Sequence, residues 1–442
     1  MVLFDILRRN FHFRSKKTGK IFFGWYTVLA SAISDAWQSA AWIYGFGIFF
    51  KPLMSDFGWT RAQTAAASSF GRMEGALEGP FAGMATDRFG PKPIYLIGAF
   101  LAGLGFCLMY FINSLVMFYI VWVITAVGFN LGWSRSLDTA IANWFVKKRG
   151  TVLSLARLGR VIGGSILTPF LSILLIRIGW RVTFIILGLL SWVIGGFIGM
   201  FMVKKQRPEY YGLLPDGEEY GDEETDTASL LKAGEEYSAQ LGEYEFNTWQ
   251  ALKTRAFLML TLGALLTGMI FPAVSVHIVP HLTDMGMDPV VAAAALGFMV
   301  LMSMPGRLIG GIVADRLPKD RIRYLMVLSA VSYALGMLIL LVTKTVSMVF
   351  LYLFFFGMGI GLNSTSNPVL IGRYYGRKRY GTISGSIAMI GLPVSLISPI
   401  FAGWMYDVTG SYAGAFKLSL FLAAFGIIFY VFAKPPDIPE QL

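Results

Sequence analysis

The feature that most limits what this chain can fold into is the recurrence of apolar runs long enough to cross a membrane. Such stretches lie at roughly 22–50, 61–86, 92–112, 115–144, 150–177, 181–203, 256–283, 288–315, 322–343, 346–374, 381–406 and 413–434. A helix needs about 20 predominantly apolar residues to span the hydrocarbon core. The runs are continuously apolar rather than alternating, which predicts helices and not the strands of a barrel. The expected fold class is therefore an all-α membrane protein, with twelve transmembrane helices in two pseudo-symmetric six-helix bundles. Composition agrees, at 55% hydrophobic and 14% charged residues.

A net charge of +11 would suit a nucleic-acid partner if it were gathered on one face. Instead the basic residues occupy alternate short loops: Arg8, Arg9, Arg14, Lys16, Lys17 and Lys20 in the first tail, then Arg88 with Lys92, then Lys147, Lys148 and Arg149. The second half repeats this with Arg316, Lys319, Arg321 and Arg323, and with Arg373, Arg377, Lys378 and Arg379. That is the positive-inside pattern. It predicts a multi-pass protein of the plasma (inner) membrane with both termini cytoplasmic, membrane lipid around it and no nucleic acid. The basic start leads into a full-length span rather than a short apolar stretch with a cleavage site, so no cleavable signal is expected. The first eleven residues suit either a short amphipathic helix or a plain basic tail. Cys107 is the only cysteine, which leaves no internal disulfide.

One long polar segment divides the chain. It opens basic at Lys204, Lys205 and Arg207 and turns acidic at Glu218, Glu219, Asp222, Glu223, Glu224 and Asp226. The expected organisation is a basic tail (1–21), a first bundle (22–203), a partly disordered cytoplasmic linker (204–253), a second bundle (254–434) and a short cytoplasmic tail (435–442). The halves repeat weakly. Gly83 to Arg88 reads Gly-Met-Ala-Thr-Asp-Arg after the second run, and Gly311 to Arg316 reads Gly-Ile-Val-Ala-Asp-Arg after the eighth. Lys148-Arg149-Gly150-Thr151 opens the fifth run and Lys378-Arg379-Tyr380-Gly381-Thr382 the eleventh. Parallel six-helix repeats predict a two-bundle carrier with its site near mid-membrane between the bundles.

The stretch Gly83-x-x-x-Asp87-Arg88-x-Gly90-x-Lys92 resembles the loop motif of the major facilitator superfamily. Within it the chain is most similar to the monocarboxylate transporters and the oxalate/formate antiporters. The residues that carry this are Phe23-Gly24-Trp25, Trp144-Phe145-x-Lys147-Lys148-Arg149-Gly150, Gly179-Trp180-Arg181-x-x-Phe184, Gly306-Arg307-x-x-x-Gly311 and Tyr406-Asp407-x-x-Gly410-Ser411-Tyr412. The resemblance implies that Arg307 pairs with a substrate carboxylate. It also implies that Asp87, Arg88, Asp315 and Arg316 form a cytoplasmic gate. Three departures stand out. The first-helix lysine of the animal monocarboxylate carriers has no counterpart, the nearest position being about Tyr44. Ser303 stands where they have an acid one turn before the arginine. The eleventh run, Ser386 to Gly391, lacks the second basic residue of the oxalate carriers. A monoanion suits this set better than a dicarboxylate, unless the first half meets the second charge.

Arg307 lies in a run, Ala293 to Val313, with no other charge before Asp315. An arginine near mid-bilayer costs about 2.5–3.5 kcal/mol on insertion scales, so a watery cavity or an anionic partner is expected at it. The first half holds Asp35, Arg72, Glu74, Glu78, Arg135, Asp138, Arg157 and Arg160 inside its runs. Glu78 with Arg135 or Arg160, Asp138 with Arg157, and Arg135 with Asp138 three residues on are the structural pairs this predicts. The alternative is a charged cavity in which Arg135 and Arg160 add anion contacts and Asp35, Glu74 or Glu78 carries a proton. Glu74 and Glu78 are four apart on one helix face, and neighbouring carboxylates share a proton readily. Asn363, Ser364, Thr365, Ser366 and Asn367 offer either substrate hydrogen bonds or helix–helix contacts. Tyr44, Trp37, Trp42 and Trp133 are candidate cavity walls or lipid-facing packing.

His277 and His281 have i, i+4 spacing but no third ligand, so no metal is expected. No phosphate-binding loop or catalytic constellation is present, and neither an enzyme nor a cofactor is expected. The expected activity is secondary transport of a small organic anion, most simply a monocarboxylate, by proton symport or exchange. Export of another amphipathic compound, and a transporter-like membrane sensor, are the alternatives.

Overall fold

In the computed structural model the described residues are 21–59, 61–218, 226–287, 289–343 and 345–438. The tail and the amphipathic segment expected within 1–20 lie outside them, as do the linker acids Glu219, Asp222, Glu223 and Glu224. The side chain of Arg72 is likewise outside.

Twelve helical columns follow one another. Column α1 runs from Gly24–Gln38 through a π-turn, Ser39–Ile43, into Gly45–Phe57. Column α2 is Arg61–Leu77 followed by Gly79–Phe89, and α3 is Pro91–Met109. Column α4 is Leu115–Trp144, with a π-helical stretch at Phe129–Ser136. Column α5 is Arg149–Ile162, a π-turn at Gly163–Leu167, and Thr168–Ile178; α6 is Trp180–Phe201. In the second half α7 is Arg255–Gly268 with Ile270–Asp284, and α8 is Pro289–Arg316. The last four are α9 (Arg323–Val342), α10 (Val346–Tyr375), α11 (Tyr380–Thr409) and α12 (Ala413–Phe432).

Among the described residues, nine helices are long and apolar enough to cross a membrane unaided, and α5 is a tenth if its halves, bent by 41°, are taken together. The other two columns are α1 and α2. The first is interrupted at the π-turn before Tyr44. The second breaks at Glu78 and carries Arg61, Arg72 and Glu74 as well. Interruption shortens α1 and polarity marks α2, so helix length and apolarity underrate them. The outward faces carry large exposed apolar side chains, such as Phe197, Phe201, Ile400 and Val408, as lipid-facing helices require.

Local chemistry explains several boundaries. Ser114, Thr254 and Thr345 cap α4, α7 and α10 by accepting a backbone N–H three residues on, at 3.1–3.4 Å. The α2–α3 turn needs φ 85° at Gly90, which glycine adopts freely, and Pro91 then opens α3.

The halves meet backbone to backbone at one end, the end that carries the linker. A Cβ on Gly83 of α2 would lie 2.2 Å from the Gly381 carbonyl oxygen of α11. A Cβ on Gly311 of α8 would lie 2.3 Å from the Gly150 oxygen of α5. The α2–α11 and α8–α5 seams are the same contact in the two halves.

The described part of the linker is folded. Pro208–Tyr211 forms a 3₁₀ turn, Thr227–Gln240 is a helix capped by Asp226, and Thr248–Lys253 is a helix with an Asn247/Gln250 capping box. Composition concealed this, because other acids of the segment, Glu209, Asp216 and Glu243, are buried partners of the bundles.

Because neither seam has room for a side chain, Gly83→Val and Gly311→Val should each impose about 1–3 kcal/mol of overpacking. The expected result is a longer distance between spin labels placed across the linker end. An unchanged distance distribution in both variants would show that these seams do not hold the halves together.

Candidate functional site

The polar residues fall into two tiers: a set of latches at the linker end and a charged centre about half a membrane away.

The latches are carboxylates set on helix N-termini, where the first backbone N–H groups lack intrahelical partners and favour negative charge. Asp87, near the end of α2, accepts from Gly381 N (3.2 Å), Thr382 N (2.9 Å) and Thr382 Oγ1 (2.7 Å). Asp315, near the end of α8, accepts from Gly150 N (2.7 Å), Thr151 N (2.7 Å) and Thr151 Oγ1 (2.6 Å). Each reaches from one half onto the other. The arginines expected beside them do not share the task. Arg88 is exposed and lies over the Phe89 ring, and Arg316 is exposed. The carboxylates find amide donors on the opposite half, which leaves the neighbouring guanidinium groups to solvent.

The linker adds a second layer of the same chemistry, which composition did not predict. Asp216, held at φ 60°, accepts from Val146, Lys147 and Lys148 N at 2.8–3.1 Å on the α4–α5 loop. Glu245 accepts from Arg377 and Lys378 N at 2.9 and 2.6 Å on the α10–α11 loop. Two buried arginines complete it. Arg149 forks onto Glu243 with two bonds of 3.1 Å. Arg377 binds Glu209 at 2.9 Å and the Asn143 carbonyl at 2.9 Å. Burial pushes the Glu243 carboxyl up despite Arg149, Arg373 and Arg377. Burial also lowers Lys319, whose Nζ donates to the Gly242 carbonyl at 2.6 Å, to about 8. The sign pattern in this layer, buried arginine against a linker acid on each loop, is a device for docking the linker on both halves.

The charged centre lies deeper. At 1.5 Å per residue, Arg307, Arg160 and Glu78 stand roughly 12–15 Å along their helices from the latch residues, near the middle of a core about 30 Å thick. Asp35 of α1 is clamped between two arginines of α5, at 2.9 Å from Arg157 Nη1 and 2.9 Å from Arg160 Nη2. Asp138 of α4 binds Arg157 at 2.5 Å. The Asp138–Arg157 pair is the expected one. The expected Glu78–Arg160 pair is absent, because Asp35 takes Arg160. Nor does Arg135 pair with Asp138; it donates to the Gly75 carbonyl at 2.8 Å and packs against Gly79. Asp35, expected as a proton carrier, instead has both oxygens occupied by guanidinium N–H groups.

Glu74 and Glu78 do stand together. Asn130 Nδ2 donates to Glu74 at 2.9 Å. Both Glu78 oxygens are buried and meet no N–H or O–H donor, and the Glu78 carboxyl lies against that of Glu74.

Arg307 is held on α8 where that helix touches α10 backbone to backbone: a Cβ on Gly361 would lie 2.1 Å from the Ser303 oxygen, and one on Gly306 2.4 Å from the Met358 oxygen. A Cβ on Gly361 would also lie 2.7 Å from the Arg307 N, so the α10 backbone runs directly against this turn of α8. Arg307 is 4% exposed. Its Nε donates to Ser303 Oγ at 3.3 Å, and its Nη1 is buried with no partner. No carboxylate among the described residues is within ion-pair distance of it. Arg160, from the other half, is its electrostatic neighbour, as is Tyr44, whose ring packs on Gly164. Arg160 Nε is also buried without a partner.

Asn363 and Asn367 are half-buried on one face of α10 and make no hydrogen bond among the described residues. Trp37 and Trp133 are buried in the first half's core, and Trp42 stacks on Trp122 at 4.4 Å, so these rings pack the bundle. His277 Nε2 lies 2.9 Å from the Pro399 carbonyl and His281 packs on Tyr412 and Phe416. No group of three potential metal ligands occurs among the described residues.

Two six-helix halves, joined by reversible polar latches at one end and enclosing a buried charge at mid-depth, define a membrane transporter rather than an enzyme. A family model described as the Major Facilitator Superfamily matches residues 36–394, and the chain belongs to that superfamily. Among its relatives, monocarboxylate transporter 13 of Bos taurus is 25% identical over 95% of this chain and 93% of its own length. Monocarboxylate transporter 2 of Homo sapiens is 25% identical over 88% and 80%. Of solved structures, the proton:xylose symporter XylE bound to 6-bromo-6-deoxy-D-glucose superposes with a TM-score of 0.68 over 92% of this chain and 95% of that one, at 12% identity. That likeness supports the fold.

Two outcomes test the linker's docking. Glu243→Gln leaves Arg149 buried without its anion and should weaken docking by about 3–5 kcal/mol, seen as a longer distance between spin labels on the linker helix and the α4–α5 loop. Lys319 should give docking a pH dependence. Its docked value of about 8 lies below the ordinary 10.5, so the undocked lysine binds more protons between those values. Docking should tighten as pH rises through that window, and Lys319→Met should flatten the rise. A slope unchanged in Lys319→Met would remove this residue from the explanation.

Proposed function

We propose that this transporter carries a small organic anion, with a monocarboxylate as its cargo, by alternating access between residues 22–203 and 254–434. The observation that carries the reading is Arg307, a buried guanidinium with an unpartnered Nη1 and only a serine on its own helix. In the region of Arg157, Arg160 and Arg307 three guanidinium groups face two carboxylates, Asp35 and Asp138. One positive charge is left without a partner, and a monoanion would balance it. The sequence relatives named as monocarboxylate transporters support the same cargo class.

In this reading the latched end is cytoplasmic, the 204–253 linker lies on that side with both termini, and the membrane is the plasma membrane. The cargo carboxylate arrives from the opposite end and takes the free N–H groups of Arg307. The planar fork suits a carboxylate better than a lysine would. Arg160 Nε and the Tyr44 phenol reach the cargo from the first half, and Asn363 and Asn367 contact its uncharged part. With the charge balanced, the halves rock together and the Asp87 and Asp315 latches open. The Glu74–Glu78 pair is the place for a coupled proton, since Asp35 is already clamped. Coupling is by proton symport through that pair, and anion exchange is the form it takes without one.

Uptake of labelled acetate, lactate, pyruvate and formate into proteoliposomes, with and without an inward proton gradient, tests this. Arg307→Ala should abolish saturable uptake. Arg307→Lys loses one charge-assisted hydrogen bond, about 1.5–3 kcal/mol, and should raise the half-saturation concentration roughly ten- to hundredfold. Glu78→Gln should remove stimulation by the gradient and spare exchange. Wild-type uptake in Arg307→Ala, or preference of the folded protein for neutral or cationic cargo, would overturn the carboxylate reading.

A further inference from the structure

We propose that the cavity between the α2–α3 turn, the linker and the α10–α11 loop binds a phosphate group and thereby holds this end closed. The cavity measures about 490 Å³, within the range of small-ligand sites. Its walls bring together Arg88 from the end of α2, Lys205 and Arg207 from the linker, and Arg377 and Lys378 from the α10–α11 loop.

The charge there is lopsided. Five basic side chains face two acids, Asp87 and Glu235. Asp87 is already spent on the amides of Gly381 and Thr382. Arg207 is only 3.6 Å from Glu245. Arg88, Lys205 and Lys378 are exposed and have no acidic partner among the described residues. A cleft lined by one sign of charge concentrates the opposite ion.

Two buried atoms show that the wall is built for more than solvent. Arg377 is 1% exposed, with Nη1 and Nη2 committed to Asn143 and Glu209, yet its Nε has no partner. Asn143, which also lines the cavity, is 8% exposed and its Oδ1 is unpartnered. The Arg377 Nε–H and the Asn143 amide, whose orientation is a choice of assignment, belong to one wall with three exposed cations, which suits a tetrahedral dianion with several acceptor oxygens. A monocarboxylate, with one charge and two oxygens, would leave most of these groups unused.

The position gives the site a consequence. Its walls come from the first half, the linker and the second half, and Asp87 of the latch is part of it. When the halves separate here the cavity comes apart. A ligand that bridges the walls therefore stabilises the closed linker end and slows its opening. A phospholipid headgroup and a free phosphate compound carry the same chemistry.

Thermal unfolding of the full-length protein in phosphatidylcholine nanodiscs tests this, read together with the spin-label distance across the linker end. Inorganic phosphate and pyrophosphate are added in one arm, with potassium chloride at matched ionic strength as control. Phosphatidic acid is included in the nanodisc in the other. The expected result is a saturable rise in Tm of several degrees with a narrower, shorter distance distribution. Lys205→Gln/Lys378→Gln should weaken the midpoint at least tenfold. A response to pyrophosphate assigns a soluble ligand; a response to phosphatidic acid alone assigns a headgroup. No response beyond chloride in either arm, or an equal response in the double variant, overturns the proposal. Neither readout uses transport, so this result is independent of the cargo.

Discussion

The structure depends on carboxylates that cross from one half to cap a helix of the other. Asp87 on the start of α11 and Asp315 on the start of α5 are the same interaction made twice. Each takes two amides and a threonine hydroxyl, so each helix N-terminus gains the anion its unpaired N–H groups favour. The glycines beside them, Gly83 against Gly381 and Gly311 against Gly150, bring the backbones close enough for a short side chain to reach. Such a bond is strong when made, and both partners can return to water when it breaks. An apolar seam of the same area would not open as readily. The linker repeats this chemistry one loop further out with Asp216 and Glu245, so closure at this end is layered.

Much of this plan was legible in the sequence. The twelve apolar runs, the division into halves and the repeated Gly-x-x-x-Asp pattern at Gly83 and Gly311 all read correctly, because helix length and apolarity are local properties. The latch partners did not read. A backbone amide leaves no mark in the sequence, so Arg88 and Arg316 drew the role that Gly381, Thr382, Gly150 and Thr151 hold. The linker misled for a related reason. Glu209, Asp216, Glu243 and Glu245 sit in a run whose acidity suggests solvation, and only the fold brings to them Arg149, Arg377 and the backbone amides of the α4–α5 and α10–α11 loops.

The central charges show the same limit more sharply. Asp138 with Arg157 was visible because α4 and α5 are sequential neighbours. Asp35 lies more than a hundred residues from Arg157 and Arg160, and nothing local says that it fills the gap between them. Once it does, Arg160 is no longer available to Glu78, and α2 is left with two carboxyls in contact. The π-turns of α1 and α5 belong to this arrangement. Ser39 donates to the Arg160 carbonyl at 2.7 Å, and Ala36 packs on Gly163. Widened turns free backbone carbonyls for such contacts, which is how two helices carrying three charged groups pack closely.

What remains is Arg307. It makes no ion pair among the described residues, and Asp35 and Asp138, the acids of the neighbouring charged cluster, are already taken by Arg157 and Arg160. Keeping a desolvated guanidinium without an anion is costly for any fold. That cost falls when an anion arrives. The same charge that strains the empty state then favours the loaded one. The latches at the linker end are satisfied by amide and hydroxyl donors, so in the proposed cycle the centre, where Arg307 Nη1 and the Glu78 oxygens lack partners, is the place that cargo and proton relieve. In the proposed cycle Arg307 acts on the equilibrium between open and closed halves through the charge state of the centre, since it touches neither latch.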